Sequence, residues 1–215
     1  MRAVLLFTLF FGLAGQSAFS QTTYPAVPDA DYAVYTAIAN DFSKCSDSQY
    51  AYRQGNLLFI KSSTEEKSKY GFQFNFAKAE EQLSFLTRPQ ATFYKEPDWK
   101  TFIASVDTNQ FTKYALKQPL ELACRTTQMW PPDLQEYYFG KQNHLNRGYY
   151  ALRNDYPKFG GIVSFSKVAY SPDGQKALCY YAEVSDGKAG AGYLVFLERK
   201  EGTWKVIGSA GLWMA

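Results

Sequence analysis

Side chains able to act as nucleophiles or metal ligands are scarce in this chain of 215 residues. His144 is the only histidine, so any Ser-His-Asp or Cys-His catalytic system would have to use it. It lies in a polar segment with no Gly-x-Ser-x-Gly nucleophile elbow to accompany it, which favours a solvated surface histidine. A single imidazole also cannot build a histidine-rich metal site, and we expect neither a metal nor a cofactor.

The three cysteines, Cys45, Cys124 and Cys179, are the remaining soft nucleophiles. An odd number allows at most one internal disulfide with one thiol left over, and three pairings are open. Their wide spacing matches neither a zinc ligand cluster nor a redox Cys-x-x-Cys motif. We therefore interpret them as buried or singly bridged rather than reactive.

Glu183 is the acidic residue with the most interesting predicted surroundings, because the strand pairing described below sets it beside Tyr193. A glycosidase needs two carboxyl groups roughly 5 to 9.5 Å apart across a cleft. A carboxylate-dependent hydrolase of envelope or extracellular polymers would thus require a second acid near Glu183. A solvated glutamate at a strand end is the commoner situation, because acids are rarely buried.

The last third of the chain contains the elements that must position these groups. Four strand-like runs occupy residues 162–170, 175–184, 192–200 and 203–209. Short connections make neighbouring strands antiparallel, so the pattern predicts a four-stranded meander. A first turn centred between Pro172 and Asp173 would pair Ser164 with Tyr181 and Ser166 with Cys179.

The second turn of the meander would pair Tyr181 with Val195 and Glu183 with Tyr193. The two pairings together gather five polar side chains on one otherwise apolar face: Ser164, Ser166, Tyr181, Glu183 and Tyr193. Both faces are mainly apolar, so helices must cover each of them. A few polar groups converging on an apolar surface are typical of a small-molecule pocket, and these five are the candidate ligand-binding residues.

The preceding part of the chain mixes helices with short strands. Asp29 can cap a helix in which Tyr32, Tyr35, Ile38 and Phe42 follow helical spacing. Further helices are predicted over 77–86, from Pro97, from Pro132, and around Leu145–Leu152, and strands over 56–60, 70–76 and 120–125. The fold class is therefore α+β.

The N-terminus has the pattern of a secretory signal peptide. Arg2 precedes an apolar run over residues 3–14, and small residues occupy the positions that signal peptidase reads. The run is shorter than the roughly 20 apolar residues of a spanning helix, which disfavours a membrane anchor. We expect residues 1–20 to be removed before Gln21, leaving 21–215 as a single exported domain, periplasmic or extracellular.

Charge and composition narrow the range of partners. The chain has 23 Lys and Arg against 20 Asp and Glu, scattered along the sequence, and 46% of its residues are hydrophobic. Such a chain can bury a core, and it has no strong positive field that would favour nucleic acid. No further membrane-spanning segment is expected after the signal peptide.

A resemblance adds to these inferences. Residues 157–170, 177–181, 190–200 and 202–206 resemble a C-terminal block, covering 162–206 here, of exported bacterial proteins with no assigned activity. The terminal hairpin also resembles the last strands of cystatin-like α+β folds. The resemblance implies export and an antiparallel sheet, and it supplies no functional residues because that family has no assigned activity.

These features favour a non-enzymatic exported protein that binds a small ligand or a partner at the five-residue face. The two alternatives are the carboxylate-dependent hydrolase described above and a structural protein associated with the cell envelope.

Overall fold

The computed structural model describes residues 24–43, 55–68, 72–86, 92–140 and 147–215. The expected signal peptide, Cys45 and His144 lie outside these ranges.

Within the described ranges the chain forms α-helices and one β-sheet, which confirms the α+β class. The helices are α1 (Asp29–Ser43), α2 (Ala79–Leu86), α3 (Pro97–Ser105), α4 (Pro132–Phe139) and α5 (Gly148–Asp155). The strands are β1 (Leu57–Lys61), β2 (Thr126–Trp130), β3 (Phe159–Phe165), β4 (Ala169–Tyr170), β5 (Lys176–Asp186), β6 (Ala189–Lys200) and β7 (Thr203–Met214). None of the helices in the described part of the chain is long and apolar enough to cross a membrane.

The sheet has the strand order β2-β1-β3-β5-β6-β7, with β4 also pairing with β5. The strands β3, β5, β6 and β7 are antiparallel neighbours, so the predicted meander is confirmed. Strand β1 runs parallel to both β2 and β3, an arrangement that the sequence pattern did not predict. Residues Leu57 to Ile60 of β1 are all buried, as expected of a parallel strand covered on both faces.

Two predicted strands are wrong in detail. Residues 120–125 form no strand, and β2 begins only at Thr126, because the chain before it bonds to side chains: the Ala123 N–H donates to the Asn40 side chain. Phe72, Phe74 and Phe76 are buried alternately with exposed neighbours, as the pattern predicted, yet they belong to no strand of the sheet. Their rings serve the core instead, since Phe72 stacks on Tyr180 of β5.

The sheet is covered on both faces. Helix α1 covers one face and forms the α1 cluster with buried residues of β1, β3, β5 and β6. On the opposite face, α4 and α5 pack over β1, β2 and β3. Helices α2 and α3, together with the segment around Phe72, form an aromatic cluster over β5, β6 and β7.

Candidate functional site

The β3–β5 pairing separates two of the five candidate residues. Phe165 pairs with Tyr181 and Ser164 pairs with Ala182, so the register lies one residue from the predicted one. Successive side chains of a strand point to opposite faces, so Ser164 and Tyr181 lie on opposite faces, and their predicted pairing is wrong. The register changes by one residue between Ser166, whose N–H still donates to the Tyr180 carbonyl, and Ala169, which pairs with Leu178. The Ser166 hydroxyl also accepts from the Tyr180 N–H.

The β5–β6 pairing keeps the other three strand residues together. Tyr181 pairs with Tyr193, and Glu183 pairs with Ala191. The predicted partners of Tyr181 and Glu183 lie two residues further along β6 than the observed ones. A register shift of two residues leaves each side chain on the same face of the sheet. Tyr181, Glu183 and Tyr193 therefore share the face that α1 covers.

These three residues form a network packed against α1, with Tyr181 buried and with Glu183 and Tyr193 half-buried, rather than an open pocket. Phe42 of α1 packs over the rings of Tyr181 and Tyr193, with centroid separations of 4.6 and 4.9 Å, and Tyr181 is 1% exposed. The Tyr181 hydroxyl donates to Glu183 at 2.7 Å, and the Arg125 guanidinium lies 3.5 Å from the same carboxylate. Burial, followed by the Glu183 charge, raises the pKa of Tyr181 well above its ordinary value, so its hydroxyl stays a donor.

The two serines are also enclosed. Ser166 is fully buried, and its hydroxyl donates to the Lys167 carbonyl at 2.8 Å. Its oxygen lies 3.7 Å from the Cys179 sulfur, and burial raises the pKa of that thiol above its ordinary value. Ser164 is buried on the opposite face. The five candidates thus do not line one common cavity.

A buried acid that is not among the five candidates lies at the start of α1. Asp31 is 0% exposed and accepts from the Tyr170 hydroxyl at 3.0 Å and the Val168 N–H at 3.4 Å. Burial raises the pKa of Asp31 above its ordinary value, and the two donors oppose that shift. The carboxylate therefore ties α1 to the β4 region.

A groove of about 780 Å³ lies on the outer side of α1. Its walls are α1, the loop before β2 and the β6–β7 turn: Tyr32, Ala33, Thr36, Ala37, Asn40, Gln118, Pro119, Leu120, Glu121, Gly202, Thr203 and Trp204. Glu201 and Gly202 both adopt positive φ, as in the two-residue turns that suit the twist of a hairpin. This tight turn brings Trp204 to the edge of the groove.

The sequence of α1 contains a signal for this groove. Ala33, Thr36, Ala37 and Asn40 follow helical spacing beside the buried stripe of Val34 and its neighbours. An outward stripe of a surface helix normally carries charged residues, and this one has none. Uncharged small residues leave space above the helix and keep the groove floor neutral.

The loop that forms the second wall is fastened to α1. The Lys117 N–H donates to the Tyr32 hydroxyl at 2.7 Å, and the Ala123 N–H donates to the Asn40 side chain at 2.9 Å. Cys124 is disulfide-bonded, whereas Cys179 is free and buried. The groove is therefore preorganised, which lowers the entropy that a ligand must remove on binding.

The chemistry of the groove is almost uncharged. Glu121 is the only lining residue with a charged side chain, and the others offer two aromatic rings, hydroxyls and amides. No group of three or more His, Cys, Asp or Glu in the described ranges is arranged to hold a metal ion.

Comparison with protein-family models, curated proteins and solved structures gave no significant match.

Proposed function

We propose that this chain is an exported, non-enzymatic binding protein whose ligand is a neutral, polyhydroxylated molecule such as an oligosaccharide. The observation that carries the proposal is the groove of about 780 Å³ with Tyr32 and Trp204 at its walls. Ligand pockets typically measure roughly 300 to 1,000 Å³ and combine apolar surface with a few polar groups.

The side chains of the groove match the surface of a sugar. Aromatic rings such as that of Trp204 present a broad apolar face, on which the C–H face of a pyranose can pack. Thr36, Asn40 and Gln118 supply hydroxyl and amide groups, each able to bond sugar hydroxyls. With Glu121 as the single charge, the lining disfavours an anionic ligand.

The carboxylates favour binding over hydrolysis. The groove lining contains one carboxyl group, that of Glu121, whereas glycoside hydrolysis uses two. Glu183 is already engaged by Arg125 and Tyr181. These arrangements support a binding role over the carboxylate-dependent hydrolase.

Export is proposed on two grounds. Residues 1–20 have the charge, apolar run and small residues of a signal peptide. The disulfide at Cys124 fits an oxidising compartment, where such bonds form and persist.

The test is a titration of the protein with a panel of neutral oligosaccharides, in which binding is measured by calorimetry and by tryptophan fluorescence. We expect saturable binding that Trp204→Ala weakens at least about tenfold, since aromatic anchors dominate such contacts. Ala33→Arg, at an exposed position of α1 in the groove lining, should block the groove without disturbing the core.

The matched control is Tyr150→Ala, which removes an aromatic ring that is 81% exposed and lies on α5, outside the groove lining. Binding that survives both groove variants, or the absence of saturable binding across the panel, would contradict the proposal. A folded protein that binds no oligosaccharide would favour the structural envelope role.

A further inference from the structure

A second, smaller crevice lies at the carboxyl ends of the parallel strands β1 and β2. Its volume is about 220 Å³, and its lining residues are Lys61, Ser62, Ser63, Thr64, Glu65, Lys113, Trp130, Pro131, Pro132 and Gln135. It shares no lining residue with the groove on α1. Anything bound there would therefore be independent of the proposed function.

The chain diverges at this crevice. After β1, Ser63 forms a bridge with Ala115, and the neighbouring Leu116 packs in the α1 cluster. After β2, the chain enters α4, whose Tyr138 packs on the opposite face of the sheet. The crevice thus lies outside the carboxyl ends of two parallel strands, a place where open α/β sheets commonly bind ligands.

The polar groups of the crevice are mostly hydrogen-bond donors. Lys61 and Lys113 supply two ammonium groups, and Ser62 and Ser63 supply hydroxyls. The Gln135 carbonyl oxygen is occupied by the Trp130 indole N–H at 2.9 Å, which leaves the amide NH₂ as the free end of that side chain.

The net charge of the crevice lining also favours an anion. Lys61 holds Glu65 at 2.7 Å, and both side chains are partly exposed, so this ion pair is weak and open to competition. Lys113 adds a second positive charge, so the lining contains two cations and one anion. Helix α4 begins with Pro132, which has no N–H, and carries Asp133 in its first turn. The lysines, rather than the helix end, therefore supply the attraction for an anion.

We propose that this crevice binds a small oxyanion, namely the phosphate or carboxylate group of a compact molecule. Charge-assisted hydrogen bonds from the lysines and serines would hold its oxygens, and the Trp130–Pro131 wall would contact its apolar part. A volume of about 220 Å³ restricts the ligand to a small molecule or to one end of a larger one.

The experiment is an NMR titration of the protein with inorganic phosphate, with acetate, and with methylammonium as the cationic control. We expect saturable shifts of the amides of Lys61, Ser62 and Ser63 with phosphate or acetate, whichever group the site prefers, and none with methylammonium. Binding should weaken as salt is added.

Two variants at the site are expected to act in opposite directions. Lys113→Gln should weaken binding about tenfold, the effect of losing one hydrogen bond to a charged partner. Glu65→Gln should tighten binding, because it removes the anion that competes for Lys61. A nonspecific loss of structure cannot produce this opposite pair of effects.

Lys188→Gln, at an exposed position of the β5–β6 turn, is the matched charge control and should change nothing. Ala33→Arg should also leave anion binding intact while it blocks the groove, so the two proposals can fail separately. The inference is overturned if neither anion gives saturable shifts, or if Lys113→Gln and Glu65→Gln change the affinity in the same direction.

Discussion

The two faces of the meander are built in different ways. The aromatic cluster on one face consists mainly of rings, among them Phe93, Trp99 and Phe196, in mutual contact. Buried polar groups accompany the α1 cluster on the other face. Asp31 accepts from the Val168 N–H, and the Ser166 hydroxyl accepts from the Tyr180 N–H.

The difference separates two kinds of stabilisation. Ring packing removes a large apolar area from water and depends little on pH. Buried hydrogen bonds add less net free energy, but they penalise every alternative packing that leaves a polar group without a partner. Such bonds fix the position of α1, whose outer side forms the floor of the groove. The α1 face therefore determines site geometry, while the opposite face buries an aromatic cluster over β5, β6 and β7.

The largest effect should come from the aromatic cluster. Trp99 is 0% exposed and lies within 6 Å, centroid to centroid, of the rings of Phe93, Phe102 and Phe196. Trp99→Ala should lower the free energy of unfolding by about 3–5 kcal/mol, because the cavity it leaves can close only partly. Urea denaturation followed by circular dichroism measures the change.

Tyr150→Ala is the control for that experiment, because its ring is 81% exposed. It should change the free energy of unfolding by less than about 0.5 kcal/mol. Equal losses in the two variants would mean that the aromatic cluster does not provide the stability assigned to it.

The disulfide at Cys124 should have the next largest effect. Cys124 follows Ala123, whose N–H is bonded to Asn40 of the groove lining. Cys124→Ser should cost about 2–4 kcal/mol, since the bond restricts the unfolded chain. An internal disulfide uses two of the 3 cysteines, and Cys179 is free. Thiol titration of the denatured protein should therefore find one thiol before reduction and all 3 cysteines after it.

The reduced wild type should match Cys124→Ser in stability. Cys179→Ser should differ from Cys124→Ser in one respect. Its disulfide stays intact, so reductant should still lower its stability. If reductant has no effect on the wild type, the restraint on the groove wall does not exist.

Local signals predicted the meander well because its strands are joined by short turns. The short connections determine which strands are neighbours, and alternation assigns most side chains of β5 and β6 to the observed face. The assignment failed at β3 because the register shifts by one residue between Ser166 and Ala169, and no local pattern indicates where a ladder will break. A shift of one residue is enough to move Ser164 across the sheet.

The parallel strands and the groove could not be predicted in the same way. The pairing of β1 with β2 joins residues far apart in sequence, and no turn connects them directly. The groove likewise combines α1 with residues 118–121 and 202–204. The one local signal was the uncharged stripe of Ala33, Thr36, Ala37 and Asn40. It indicates an unusual helix surface, but it does not indicate which other segments complete the groove.

The smallest effect should come from Asp31, and its sign tests how the α1 face is stabilised. Burial holds the pKa of this carboxyl above its ordinary value of 3.8, so between these two values the folded state binds a proton that the unfolded state has lost. The contribution of Asp31 to stability is therefore fully present below the unfolded pKa and is lost as pH rises through the folded pKa. Asp31→Asn removes this titration. Its stability relative to wild type should be most favourable at pH 7 and should fall as the pH approaches 4, by up to about 1.4 kcal/mol for each unit by which the pKa is raised.

Urea denaturation of both proteins across that pH range measures the difference, with Asp29→Asn as the control at the exposed first residue of α1. The control removes an acid from the same helix turn, so it separates the burial of Asp31 from the general effect of charge at a helix N-terminus. If the wild type instead loses stability relative to Asp31→Asn on acidification, the hydrogen bonds from Tyr170 and Val168 outweigh burial. The α1 face would then gain stability from an ionised buried acid, whereas the aromatic cluster has no group of that kind among its buried residues.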